Sequence, residues 1–163
     1  MSAGSTLSYR TRVTTGDLAQ IEALVARTGV FNAEEISIAR ELAAEALTRG
    51  SLSGYEFMIV DGADGIEAYT CFGPIPGSDR RYELYWIAVD PRAQRKGLAR
   101  ALLTATEKEA LGMGAVRLYA ETSGLPAYAP AHAFYSRMGY RLCATVEDYH
   151  ADGDALVIFE KKL

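Results

Sequence analysis

A chain of 163 residues with 17 basic and 21 acidic side chains, net charge −4, is too acidic to grip a nucleic-acid backbone over a broad surface. It is long enough to bury roughly 70% of the surface that its unfolded form exposes. With 49% hydrophobic and 23% charged residues it reads as one globular domain over residues 1–163, with disorder expected at most in the polar start Met1–Ser8. Cys71 and Cys143 are too few and too far apart for a disulfide framework or a metal site, and read as buried free thiols. No apolar run is long enough to span a bilayer, and Met1–Ser8 lacks the basic-then-apolar profile of a signal peptide, so the expected compartment is the cytoplasm and no membrane partner is expected.

In chain order, Tyr9–Thr14 alternates with β-forming residues and predicts a first strand. A helix follows, with an N-cap candidate at Thr15, Leu18, Ile21, Leu24 and Val25 at helical spacing, and Gly29 as its stop. Asn32 with Glu35 three residues on has the pattern of a capping box, and Ile38, Leu42, Ala46 and Leu47 share one face of the second helix before Gly50. Tyr55–Val60 and Ile66–Phe72 read as a hairpin around Asp61–Gly65. Tyr82–Val89, nearly all apolar or aromatic, has the composition of a central strand, and Asp90-Pro91 breaks it. Leu98, Ala101, Leu102 and Ala105 then predict a third helix ending at Gly112, and the strand Val116–Glu121 after it implies a crossover to a parallel partner. Pro130 opens a short fourth helix carrying Ala131, Phe134, Tyr135 and Met138, and strands near Tyr140–Val146 and Ala155–Lys161 close the chain. The expected fold is mixed α/β (α+β), a sheet of about seven strands flanked by about four helices.

Gln94, Arg95, Lys96, Gly97, Leu98, Ala99 and Arg100 follow a strand and open a helix. Helix N-termini leave N–H groups unpaired and carry partial positive charge, and small residues at 97 and 99 let an anion approach the main chain. Arg95, Lys96 and Arg100 add side-chain charge, so a diphosphate would meet directed donors in a favourable field. A helix whose first turn merely carries solvated basic residues fits the local sequence equally well.

The stretch Val89–Arg100, with Gln94, Gly97 and Ala99, resembles the acyl-CoA loop of the GNAT superfamily of N-acetyltransferases. Downstream, Ala131, Phe134-Tyr135 and Gly139-Tyr140 resemble the pattern of that superfamily's fourth helix. The resemblance covers nearly the whole chain as a layout, with its specific residues in Glu83–Tyr140. It implies a single GNAT-like domain with splayed fourth and fifth strands, acetyl-CoA as acyl donor, and no metal. It also implies that main chain at Ile87, Ala88 and Val89 bonds the pantetheine arm, while Gln94, Arg95, Lys96, Gly97, Leu98, Ala99 and Arg100 hold the pyrophosphate. Many relatives carry Asn where this chain has Tyr128.

Acyl transfer from a thioester to an amine needs a neutral nucleophile, a donor to the developing oxyanion and a proton for the departing thiolate. The resemblance implies Tyr135 as general acid at the coenzyme sulfur, and Glu83 stands at the base's distance from Gln94 in the histone-acetylating branch. The same glutamate also fits a sheet-end carboxylate paired with Arg80 or Arg81, and Glu121 is the alternative base acting through water. Ile87 or Ala88 is expected to supply the oxyanion N–H. His132 reads as solvent-facing. The acceptor is expected to be a primary amine on a small molecule or a protein, a homodimer is compatible with the resemblance, and a non-catalytic acyl-CoA-binding or sensing module on the same fold is the alternative.

Overall fold

The structure is a computed structural model and describes residues 6–94 and 97–163. Its helices are α1 (Thr15–Thr28), α2 (Ala33–Arg49), α3 (Leu98–Gly112) and α4 (Ala129–Arg137). Its strands are β1 (Glu56–Gly62), β2 (Gly65–Pro74), β3 (Arg81–Val89), β4 (Arg117–Ser123), β5 (Arg141–Ala151) and β6 (Asp154–Lys162). The strand order is β1-β2-β3-β4-β6-β5, a mixed sheet of six strands among the described residues. The chain groups into two compact units, Met1–Phe72 with Trp86–Lys108, and Gly73–Tyr85 with Glu109–Leu163.

In the first unit the expected capping box of Asn32 and Glu35 forms at the start of α2, and a second one forms at the start of α1, where the N-cap is Thr14, paired with Asp17, rather than Thr15. Gly29 ends α1 in the left-handed region at φ 75. The seventh strand is absent: Tyr9–Thr14 makes one bridge, Arg10 to Ile59, with reciprocal bonds of 2.9 and 2.8 Å. The segment leads into α1 instead, and the Arg10 guanidinium donates to both Asp17 at the start of α1 and Asp61 at the end of β1. The face of α2 also differs from expectation. Ala39 and Ala43 are its buried positions, whereas Ile38 and Leu47 are 41% and 38% exposed. A helix that packs on α1 and β1 through alanines sits close to its neighbours, with Leu42 and Ala46 of the expected face half-buried beside them and Ile38 and Leu47 left outside. β1 and β2 form the antiparallel hairpin, and a buried pair of hydroxyls, Thr70 and Thr106 at 2.8 Å, ties β2 to α3.

In the second unit β3 and β4 are parallel, as the helix between them in sequence requires, and β6 lies antiparallel to both β4 and β5. The β3–β4 register covers only Arg81–Leu84 against Arg117–Ala120, so β3 continues to Val89 and β4 to Ser123 beyond the paired stretch. Leu118, Ala120, Tyr135, Tyr140 and Phe159 are buried there. β5, at the end of the strand order, is exposed along most of its eleven residues, and its pairing shifts register between Leu142 and Ala144 and again between Val146 and Ala151. Cys71 is buried, while Cys143 on β5 is half-buried.

Candidate active site

The loop expected to meet a diphosphate, and the helix start after it, belong to the first unit. Gly97 has φ +90, a conformation in which a side chain is strained, and an added Cβ there would meet open space. Among the described residues, the Ala101 N–H donates to the Gly97 carbonyl at 2.8 Å, which places the amides of Leu98, Ala99 and Arg100 in the opening turn of α3. Gln94 and Gly97 are exposed, Leu98 and Ala99 half-buried, and Arg100 exposed; Arg95 and Lys96 lie outside the described residues. From Gly97, an open groove of about 610 Å³ follows α3 past Arg100, Thr104 and Lys108. The two cations give the groove a positive wall. On β3, Ala88 is buried, and Ile87 and Val89 are half-buried.

Just before this loop stands Asp90, a residue whose sequence signal was only that of a strand breaker. Its carboxylate is almost wholly buried and accepts five hydrogen bonds. Oδ1 takes the Arg92 backbone N–H at 2.9 Å and Arg92 Nε at 3.1 Å. Oδ2 takes Arg92 Nη2 at 2.9 Å and both Nε and Nη2 of Arg27, at 3.0 and 2.6 Å. These donors, led by Arg92, hold the carboxyl far below the usual carboxylate range despite its burial. Its pairing with Arg27, at the end of α1, joins residues far apart in sequence and could not be read from local pattern.

The two residues expected to handle protons, Glu83 and Tyr135, belong to the second unit. Glu83 is half-buried on β3, opposite Tyr119 in the parallel register, and Glu121 follows two residues after Tyr119 on the same face. Burial first, and the Glu121 charge second, push the Glu83 carboxyl up to about 7. Arg80 and Arg81 do not neutralise it. The Arg80 side chain reaches toward Asp79 at 3.9 Å, and Arg81 donates to the Asp79 carbonyl at 2.8 Å. The contrast with Glu160, on the neighbouring β6, is direct: that carboxylate accepts from Arg141 and Tyr119 and faces Arg117 at 3.6 Å, and it titrates below the usual range.

Tyr135 is 7% exposed on α4, its ring 5.5 Å from Phe159 and 5.6 Å from Tyr140. Burial raises the phenol well above its ordinary pKa, so it stays protonated throughout the physiological range. His132, one turn earlier, does not face solvent. Its Nε2 lies 2.8 Å from the Ser123 carbonyl and its ring 5.5 Å from Phe159, which fastens α4 to the end of β4. Tyr128 occupies the N-cap of α4 without a capping bond from its side chain. The preceding loop is pinned by Ser123 Oγ, which donates to Asp154 at 2.5 Å and accepts from the Leu125 N–H at 3.1 Å.

The model of the acetyltransferase (GNAT) family matches residues 32–140. Among curated proteins the chain is similar to the uncharacterized N-acetyltransferase YsnE of Bacillus subtilis strain 168, 28% identical over 117 residues that cover 71% of this chain and 77% of that protein. Among solved structures it is similar to one from Desulfovibrio desulfuricans described as an acetyltransferase of the GNAT family, with a TM-score of 0.92, 37% identity, and coverage of 95% and 98% of the two chains. YncA of Salmonella typhimurium, solved with acetyl-CoA, shares the fold at a TM-score of 0.75 and 20% identity, with coverage of 98% and 95%. With a family model spanning two thirds of its length and such a structural relative, the chain belongs to the GNAT family of acetyltransferases.

Proposed function

We propose that the chain transfers an acetyl group from acetyl-CoA directly to a primary amine, with the coenzyme's diphosphate on the opening turn of α3 and proton transfer through Glu83. The observation that carries the reading is the setting of Glu83, half-buried on β3 with Glu121 nearby and no cation paired to it among the described residues, which pushes its carboxyl up to about 7. An ordinary glutamate is a feeble base at neutral pH. One that titrates near 7 both accepts protons and is ionised where the reaction runs. An alkylamine with pKa near ~10.4 is neutral only about one part in a few thousand at pH 7, a deficit of roughly 4–5 kcal/mol that such a base helps to offset.

In this mechanism the neutral amine attacks the thioester carbon, and Glu83 takes the proton that the nitrogen sheds, directly or through water. A main-chain N–H at Ile87 or Ala88 donates to the oxyanion. Collapse breaks the carbon–sulfur bond, and Tyr135 donates to the departing sulfur. Because burial raises its pKa, the phenol acts chiefly as a hydrogen-bond donor that stabilises the thiolate, whose own proton comes finally from solvent. YncA, solved with acetyl-CoA, supports the choice of donor, and the acceptor is left to chemistry: a primary amine on a small molecule or a protein.

The test is release of free thiol from acetyl-CoA over a panel of amines, run beside Glu83→Gln and Tyr135→Phe with coenzyme binding measured separately. Loss of turnover with binding retained supports both roles. Unchanged rates in both variants would reject them, and binding without turnover of any amine would favour a sensing module.

A further inference from the structure

We infer that Asp90, held by Arg27 and Arg92, is a positioning residue that sets the aim of the coenzyme loop. The inference rests on the proposed diphosphate site. β3 ends at Val89, and the Asp90 N–H is bonded to the Glu67 carbonyl of β2 at 2.8 Å, so the backbone at this point is still fixed to the sheet. One residue later the chain must turn. The Asp90 side chain caps the 3-10 turn Pro91–Ala93 through the Arg92 amide, and its carbonyl accepts from the Ala93 N–H at 2.8 Å. Gln94, the first residue of the proposed loop, is the C-cap of that same turn.

A single residue thus holds the sheet through its N–H and, through its carboxylate, joins the turn that feeds the loop to the last turn of α1, where Arg27 sits. The Arg27 contact approaches one carboxylate oxygen through two nitrogens, which fixes direction as well as distance. Such an anchorage bears on binding because donors at a helix start act only where they point; a loop free to tilt at residue 90 would present the amides of residues 98–100 over a range of directions.

Position and charge make opposite forecasts here, which allows a decisive test. Asp90→Asn removes one negative charge close to the proposed diphosphate, so simple electrostatics demands tighter coenzyme binding. Positioning demands weaker binding, because an amide offers one accepting oxygen where the carboxylate offers two: its nitrogen would face either the Arg92 N–H and Nε or the nitrogens of Arg27 and Arg92 Nη2, donor to donor. Arg27→Gln is the second variant. It lifts one strut from the outside, where the arginine side chain is 36% exposed, and leaves the carboxylate paired with Arg92.

The experiment compares acetyl-CoA with acetyl-pantetheine, the donor truncated before the diphosphate, in wild type and both variants, with a good amine acceptor held constant. The expected result is a KM for acetyl-CoA about tenfold higher in Asp90→Asn, and less so in Arg27→Gln, with kcat nearly unchanged and kcat/KM for acetyl-pantetheine unaffected. Tighter acetyl-CoA binding in Asp90→Asn, or equal losses with both donors, overturns the positioning role. Should Asp90→Asn fail to fold, Arg27→Gln decides by the same pattern. A wild type that uses both donors equally well instead refutes the diphosphate site itself, so the two failures are distinguishable.

Discussion

Asp90 and Glu83 carry the same functional group near the two ends of β3, and their surroundings drive them in opposite directions. Asp90 is the more deeply buried, yet five donated hydrogen bonds from two arginines keep it ionised far into acid. Glu83 is only half-buried, yet without such donors and with Glu121 nearby its carboxyl reaches about 7. Burial alone therefore does not say what an acid will do. The supply of donors decides: a carboxylate saturated with them is fixed in one charge state and serves as a brace, while one deprived of them can exchange a proton near neutrality.

The largest expected effect comes from removing the exchangeable acid. Glu83→Gln should lower kcat/KM by about 10²-fold or more near pH 8, the scale of a lost general base. It should also change the shape of the pH profile. Below a pH of about 7 the wild type gains activity from two deprotonations, of Glu83 and of the amine, whereas the variant gains from the amine alone. A variant whose profile keeps the limb near 7 would place the base elsewhere, with Glu121 next in line. Stability moves the other way. The folded pKa lies above the ordinary glutamate value of 4.5, so the ionised form is penalised by the fold and stability falls as pH rises from about 4.5 to 7. The variant should then melt higher than wild type at pH 8 and at the same temperature at pH 4.

A smaller effect is expected on the braced side. Gly97→Ala places a Cβ in open space at φ +90, so the cost is confined to backbone strain of about 1–2 kcal/mol and a drop in Tm of a few degrees. Coenzyme binding should weaken as well, since the side chain crowds the approach to the amides. An unchanged Tm with unchanged affinity would show that the loop readily adopts another path. The smallest effect is the most pointed. Glu121→Gln removes the secondary cause of the Glu83 shift and leaves burial in place, so the limb near 7 should move partway toward the ordinary carboxylate range. A limb that does not move would mean that burial alone sets it.

The layout was legible in the sequence because strong local signals agreed with the tertiary structure: Asn32 with Glu35, Gly29, Gly139 and the apolar run after Tyr82 each act within a few residues. The face of α2 was misjudged for a physical reason. Large apolar residues dominate any reading of periodicity, but close packing against α1 and β1 called for Ala39 and Ala43. The first strand was misjudged because alternation reports which side chains face inward, not whether the backbone finds a partner beyond the single bridge of Arg10 to Ile59. At the candidate site, the pattern of residues 94–100 could be read directly. The environment of Glu83 could not, since it depends on the register that brings Glu121 onto the same face, and neither could the clasp on Asp90, whose second arginine comes from α1.

The outer strand β5 has a consequence for how copies of this chain meet. An eleven-residue edge with open hydrogen-bonding groups is a template on which a neighbouring molecule could grow a continuous sheet. Here the edge is uneven: Asp148 has φ 55, its side chain accepts from the Gly153 N–H at 2.7 Å, and two slips in pairing bend the strand on either side of Thr145. Glu147, Asp148 and Asp152 add like charges along the same stretch. A second β5 laid against the first would find few amides in step and several carboxylates in opposition, so this border resists fibril-like stacking even though Leu142, Val146 and Tyr149 lie open to water.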